Sequence, residues 1–314
     1  MIHPILFFAL RPLLLHHIPS QRAVLPSSSS GFATLAAARA VRRDEPESVV
    51  AYPSPTDSER QILEQCLGLS REKVLRLQHF VDIVCGWNDK INLISRKDVQ
   101  NVWGNHMLPS LALHPLLKAA QKRRGGEGGG DGQGLRVMDV GTGGGFPGMP
   151  LAICNPDVDF TLVDSIRKKV MVVDDAVKRL NLRNVEPVCM RVEELRGLCD
   201  FVVARSVTNM PQFIQWVAKN LRAGPLSAAD SDISHVLGEG GVLYIGPSGL
   251  DELRAMGVEP AGVFPVQEVL TTGNTPEYES DKEIYYFRTS DILSAVGARP
   301  PSRETARRRR GRRT

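Results

Sequence analysis

The sequence predicts an α/β fold of the Rossmann-like, doubly wound kind, preceded by a helical subdomain, and three observations carry that reading. Short apolar runs alternate with amphipathic stretches from residue 135 to 292; a glycine turn directly follows the first run; and residues 57–118 carry apolar residues at helical spacing instead. The 314 residues, 42% hydrophobic and 24% charged, suffice for one substantial core with a smaller unit appended.

Residues 1–48 open the chain with an Arg- and Ser-rich stretch whose first 43 residues hold five Arg and no Asp or Glu, the pattern of an organelle transit peptide. Arg11 and Pro12 cut its apolar run well short of the ~18 residues that a membrane span needs, and no stable membrane association is expected. A polar connector, "YPSPTDSE", leads into Val74, Leu77, Phe80, Val81 and Val84 at helical spacing, and Ser95 with Asp98 has the form of a capping box opening another helix. Seven glycines between 125 and 134 mark residues 119–134 as a flexible linker.

Beyond it "RVMDV", "FTLVD", "VEPVCM", "DFVVARSV" and "GGVLYIG" read as buried strands. Between the second and third, Ile166, Val170, Val173, Val177 and Leu180 form one stripe of a helix whose other face is charged. A second polar insert, "AGPLSAADSDISHVLGEGG", is loop-like, and "VFPVQEVL" and "EIYYFRT" close the sheet as two last strands. Residues 293–314 are expected to be a disordered basic tail, with seven Arg against Glu304 in its last twelve residues. The two chain ends carry +11 of a net +4, which leaves −7 on residues 44–302 and excludes a uniformly basic binding domain. The five cysteines form no C-x-x-C pair and have no histidine spaced to complete a metal site, so reduced thiols and no metal are expected.

The chemistry centres on "RVMDVGTGGGFPGMPLA", residues 136–152, which contains Gly143-x-Gly145-x-x-Gly148, formally the fingerprint of a dinucleotide-binding turn. A strand ending at Val140, a turn and a helix would set backbone N–H groups and a positive helix end against an anionic or polar ligand. Asp139 lies inside the end of the first strand, where its carboxylate can hold the turn or meet a cationic ligand group. Asp164 ends the second strand, where it can take both hydroxyls of a ribose or cap the following helix. Two acids suit S-adenosylmethionine, which carries an ammonium and a sulfonium and no phosphate, better than they suit a pyrophosphate.

The stretches "WNDKINLISRKD", "NHMLPSLAL", "VMDVGTGGGFPGMPLAI", "FTLVDSIRKKV", "RVEEL" and "VVARSV" occur in this order, and together they resemble the RsmG family, also called GidB. The resemblance implies a class I methyltransferase that uses S-adenosylmethionine to methylate N7 of a guanine in small-subunit ribosomal RNA, at the equivalent of bacterial position 527. It further implies that Gly141, Gly143, Phe146 and Asp164 line the cofactor, that Val192 and Glu193 flank the adenine, and that Arg205 closes the site. Phe146 as core, Glu193 as a surface charge and Arg205 as an ion-pair partner are the plainer alternatives. Two departures fall on the RNA-facing side: Pro109 stands after "HML" where the family shows "HxLDSL", and Ile245 where it shows a lysine in an "ALKG"-like strand. Small-subunit rRNA is the implied partner, a monomer the expected state, and a plastid the expected address ahead of a mitochondrion.

Guanine N7 has an in-plane lone pair and no proton to lose, so the transfer needs no general base, and the sequence offers no Ser/His/Asp arrangement. Two alternatives stay open here. An NAD-dependent oxidoreductase would need a catalytic His, Lys or Tyr near the cofactor, with His79, His106, His114 and His235 the histidines of the body. A non-catalytic rRNA-binding assembly factor would not need the intact glycine loop with Asp164.

Overall fold

In the computed structural model the described residues are 52–124, 134–206, 209–224, 226, 237–249, 257–273 and 275–297. The expectations for residues 1–48, for most of the glycine-rich stretch and the second polar insert, and for the chain beyond 297 lie outside them.

Seven strands form one sheet: β1 (Arg136–Val140), β2 (Asp159–Asp164), β3 (Val185–Cys189), β4 (Phe201–Arg205), β5 (Gly241–Pro247), β6 (Gly262–Pro265) and β7 (Lys282–Arg288). Their order is β3-β2-β1-β4-β5-β7-β6, with β1 to β5 parallel and β7 antiparallel to both of its neighbours. The chain runs outward from β1 through β2 to β3 and then returns to β4 on the other side. The carboxyl ends of β1 and β4 therefore flank a topological switch point, where open α/β sheets bind ligands.

The helices follow the sequence pattern closely where periodicity was strong. Val74, Leu77, Phe80, Val81 and Val84 are buried on α2 (Arg71–Asn88), whose N-cap Ser70 accepts a hydrogen bond from Lys73 N–H. The polar side of α2 has its own partners. Lys73 Nζ donates to Cys154 O at the end of α5 (Gly148–Cys154), and Arg76 donates to Leu180 O just past α6 (Arg167–Arg179). Cations thus meet the carbonyl ends of two helices, the favourable sense of the helix dipole. Trp87 Nε1 donates to Asp175 on α6, so the N-terminal helices and one face of the sheet share a single core. The other face is covered by α7 (Met210–Val217) and α9 (Thr289–Gly297).

Several expectations are corrected. The capping box is at Thr56 and Glu59, which open α1 (Asp57–Gln61); Ser95 and Asp98 bond each other in a turn before a short 3-10 stretch, Val99–Asn101. The helical subdomain does not stop at 118, because α4 (His114–Arg124) runs into the expected linker. "VFPVQEVL" is a strand only as far as Pro265 and continues as helix α8 (Val266–Leu270). The sequence pattern puts the basic tail from 293, but α9 continues to Gly297. Ile166 is not part of the α6 stripe; it precedes the helix and is 49% exposed, while Val172 takes a fully buried place.

The strand parity positions the site. Side chains two apart share a face, and Val137, Phe201, Val203, Leu243, Ile245 and Ile284 all enter the core shared with the N-terminal helices. Asp139, Arg205 and Lys282 fall on the same parity, so all three project toward those helices, the first two at the carboxyl ends of β1 and β4 and Lys282 at the start of β7 beside the end of β5.

Candidate functional site

The turn between β1 and α5 uses its glycines for two different purposes. At Gly141 (φ +76°) and Gly143 (φ +57°) a Cβ would meet nothing closer than 3.9 Å, so these two shape the loop beside open space. At Gly145 a Cβ would lie 2.7 Å from Met149 Cγ and 3.1 Å from Phe80, and at Gly148 2.6 Å from Asp139 Oδ2. The second and third glycines of the fingerprint therefore serve close packing. Gly148→Ala is expected to destabilise the fold by about 1–3 kcal/mol through overpacking, read as a lowered urea midpoint; unchanged stability would mean that the strand and helix can part at no cost.

Seven amides of the turn are spent within the protein. Gly141 and Thr142 donate to Val163 O, Gly143 to Asp164 Oδ2, Gly145 and Phe146 to Thr142 O, Gly148 to Asp139 Oδ2 and Met149 to Gly145 O. The expectation that this loop aims its N–H groups at a ligand is corrected for those seven. A pyrophosphate needs such a fan of donors, so the arrangement disfavours the dinucleotide alternative.

Of the two roles open to Asp139, the structure gives it the turn. It is fully buried, with Oδ2 accepting from Thr142 Oγ1 at 2.6 Å and from Gly148 N–H at 2.9 Å, while Oδ1 has no hydrogen-bond partner. Burial raises its pKa to about 6, against the pull of those hydrogen bonds and of the Arg205 charge. Asp164 does not cap α6. Its Oδ1 accepts from Ile166 N–H at 2.8 Å and its Oδ2 from Gly143 N–H at 3.0 Å, so it ties the glycine turn to the start of the next helix. Each oxygen keeps one lone pair, enough for two hydroxyls on adjacent carbons.

Around Asp164 the carboxyl edge of the sheet exposes apolar side chains. Ile166 is 49% and Met190 38% exposed, and Met190 N–H donates to Asp164 O, which fixes the two stretches side by side. The turn holding Val192 and Glu193 follows at once. Val192 is buried in the sheet core and Glu193 is half-buried, its carbonyl accepting from Lys219 Nζ. The apolar surface offered at this edge is therefore that of Ile166 and Met190, which sequence reasoning missed; the signal was an apolar residue just past a strand-end acid.

Arg205 is held from below and from the side. Its guanidinium lies 5.2 Å from the Phe146 ring centroid and donates to His106 Nδ1 at 2.5 Å. Phe146 is 2% exposed and packs on Phe80 at 5.2 Å and on His106 at 5.6 Å, so it is a platform beneath Arg205 and reaches the crevice through it. The alternative of an exposed ion pair for Arg205 is set aside. Burial lowers the Arg205 pKa to about 10 and leaves it charged. The same cause lowers His106 to about 4, with Arg205 adding to it, so the ring is neutral, accepts at Nδ1 and carries its proton on Nε2. Arg205 also borders a cavity of about 380 Å³ with His106, Pro109, Ile245 and Lys282.

Buried His106 and His114, both lowered to about 4, bind fewer protons folded than unfolded between pH 4 and 6.5. Their contribution is complete above pH 6.5 and is lost as pH falls, by about 3 kcal/mol each, while Asp139 recovers about 3 kcal/mol over pH 6 to 4. A net loss of a few kcal/mol on going from pH 7 to 4 is expected in urea unfolding; a flat profile would mean that the two rings are solvated.

Among the described residues no cluster of His, Cys, Asp or Glu is placed to hold a metal, and no helix is long and apolar enough to cross a membrane. Cys85, Cys154 and Cys199 are buried, Cys66 is half-buried and Cys189 is exposed, all as free thiols.

Comparison with known proteins gives the site a context. The family model described as rRNA small subunit methyltransferase G matches residues 73–227. The chain is 39% identical over 162 residues to the ribosomal RNA small subunit methyltransferase G of Flavobacterium johnsoniae, covering 52% of this chain and 72% of that protein. The protein of the same name from Bacteroides thetaiotaomicron is 41% identical over 160 residues, 51% of this chain and 72% of the relative. That from Cytophaga hutchinsonii is 33% identical over 227 residues, 72% of this chain and 92% of the relative.

Proposed function

The chain belongs to the rRNA small subunit methyltransferase G family, and on that premise we propose that it methylates N7 of one guanine in the small-subunit rRNA of an organellar ribosome, the equivalent of bacterial position 527. Its cofactor is S-adenosylmethionine and its activity is methyl transfer to rRNA of the small subunit.

The residues present fit that cofactor. Asp164 keeps two acceptor lone pairs for the ribose hydroxyls, Ile166 and Met190 offer apolar surface for the adenine, and Gly141 and Gly143 leave space for the chain that carries sulfur. Val192 and Glu193 stand in the adjoining turn. When bound, the cofactor supplies a sulfonium methyl, whose bonding pair returns to sulfur as the purine lone pair forms the new N–C bond.

One observation carries the choice of N7: the imidazole at the crevice is not available as a base. His106 Nδ1 is engaged by Arg205, and Asp98 beside it is held below the usual carboxylate range by Ser95 and Asn105. A hydroxyl or an exocyclic amine would need a proton removed, whereas guanine N7 needs only in-line orientation, worth up to ~7–11 kcal/mol in favourable cases. The buried Asp139 carboxylate favours the positive charge that moves from sulfur to the purine. A splayed guanine is the expected form, because the deep major groove of an A-form duplex hides N7.

The organellar address rests on residues 1–48, Arg- and Ser-rich and acid-free until Asp44. Plastids and mitochondria retain ribosomes of bacterial type, and the Ser content favours the plastid. The test joins two readings: a reporter fused after residue 48 should enter plastids, and purified protein with labelled methyl donor should label small-subunit rRNA. A cytosolic reporter would refute the address, and label on large-subunit rRNA alone would refute the substrate.

A further inference from the structure

The cavity beside Arg205 opens at the carboxyl ends of β4 and β5 and is bounded by the N-terminal helical region on one side and by β7 on the other. One part of its wall is rich in donors. Lys282 Nζ gives one hydrogen bond, to Asn105 O at 3.1 Å, which leaves two protons of the ammonium. His106 Nε2 is buried beside Asp98 Oδ2, 3.8 Å away, and offers the cavity no accessible donor. Asp98 and Asp281 line the cavity as acceptors, and Pro109 and Ile245 give its wall an apolar part.

Arg205 and Lys282 both face this half-buried space, and the Lys282 ammonium keeps two protons for a further acceptor. Burial and the Arg205 charge draw Lys282 below the usual range of an ammonium, while Asp281 and Asp98 favour its charge. Guanine matches this wall. Its O6 is an acceptor, and its N1–H and N2–H₂ are donors on the adjoining edge. Adenine presents an N6 donor where guanine has O6, and would set donor against donor.

We propose that this cavity receives the target guanine and that Lys282, from β7, reads its O6. The inference rests on the reading that the substrate is guanine N7, and assigns specificity to a residue beyond the 73–227 span that the family model matches. Lys282 and Ile245 share the cavity wall, where Pro247 on β5 pairs with Lys282 on β7. A lysine on β7 can thus serve a pocket whose β5 wall is apolar.

The test uses small-subunit particles carrying either guanine or 2-aminopurine at the methylated position, mapped first with the unmodified protein. 2-Aminopurine keeps N7 and the N2 amine and lacks O6 and the N1 proton, so it is the change in preference on altering Lys282 that isolates O6. Wild type should prefer guanine by about 100-fold in kcat/KM, since a site built to hydrogen-bond one group strongly rejects the analogue lacking it. Lys282→Met should lower the guanine rate by about the same factor and bring the preference near one, while affinity for the methyl donor, which also reports folding, stays within about twofold. Lys282→Arg, which keeps donors, should retain most of the preference. A Lys282→Met protein that keeps the preference but binds both particles more weakly, with a shallower salt dependence, would make Lys282 a phosphate contact and overturn the inference. Loss of N7 transfer in wild type would instead overturn the functional reading beneath it.

Discussion

Asp164→Ala is expected to weaken binding of S-adenosylmethionine by at least about 100-fold in calorimetry, because it removes hydrogen bonds to a charged group worth about 1.5–3 kcal/mol each. The carboxylate acts twice. It carries the lone pairs for the ribose, and it accepts from Gly143 and Ile166, so its loss also frees the glycine turn from the start of α6. Gly143→Val should act through the turn alone: at φ +57° a β-branched residue is strongly disfavoured. Titration with NAD should give no comparable binding to the wild-type protein, since seven of the loop amides are already spent. Unchanged affinity in Asp164→Ala would remove the carboxylate from the cofactor site.

The second large effect is expected at Arg205. Arg205→Lys keeps the charge but loses the plane that lies over Phe146 and the fork that donates to His106. We expect a fall of about 100-fold or more in kcat/KM for methylation, with the methyl-donor affinity changed only a few-fold and the thermal midpoint lowered by a few degrees. The small stability effect follows because only a cation–π contact and one hydrogen bond are exchanged for an ammonium that stays near Asp139. If Arg205→Lys methylates at the wild-type rate, the guanidinium is structural.

Much of this site was legible in the order of strands and acids. A strand-end acid before the glycine turn, a second acid ending the next apolar run, and an Arg ending "FVVAR" follow from period-two alternation and from the rule that parallel sheets bind at their carboxyl ends. The split among the glycines was not legible, because it depends on which neighbour each missing Cβ would meet: Phe80 approaches Gly145 from a helix far away in the chain. The Arg205–His106 bond joins residues 99 apart, and no local pattern signals a neutral buried imidazole. Lys282 gave no motif at all. Its place in the cavity comes from the antiparallel return of β7 against β5, and that pairing is a property of the tertiary fold. Where pattern reading failed in the fold itself, the cause was local. Pro265 ends β6 and leaves Val266–Leu270 free to coil as a helix, and Ser95 with Asp98 satisfy each other in a turn, so the sequence signature of a cap stood without the helix.

The central claim, transfer to guanine N7 of small-subunit rRNA, is tested most directly by borohydride–aniline cleavage of rRNA incubated with the protein and S-adenosylmethionine, since that chemistry breaks the chain at N7-methylguanine. The expected result is one new strand break at a single small-subunit guanine, at the equivalent of bacterial position 527, present with wild type and absent with Arg205→Lys. Methyl label incorporated into the same rRNA without any new break would show that the methyl group goes to another atom, and would contradict the N7 assignment.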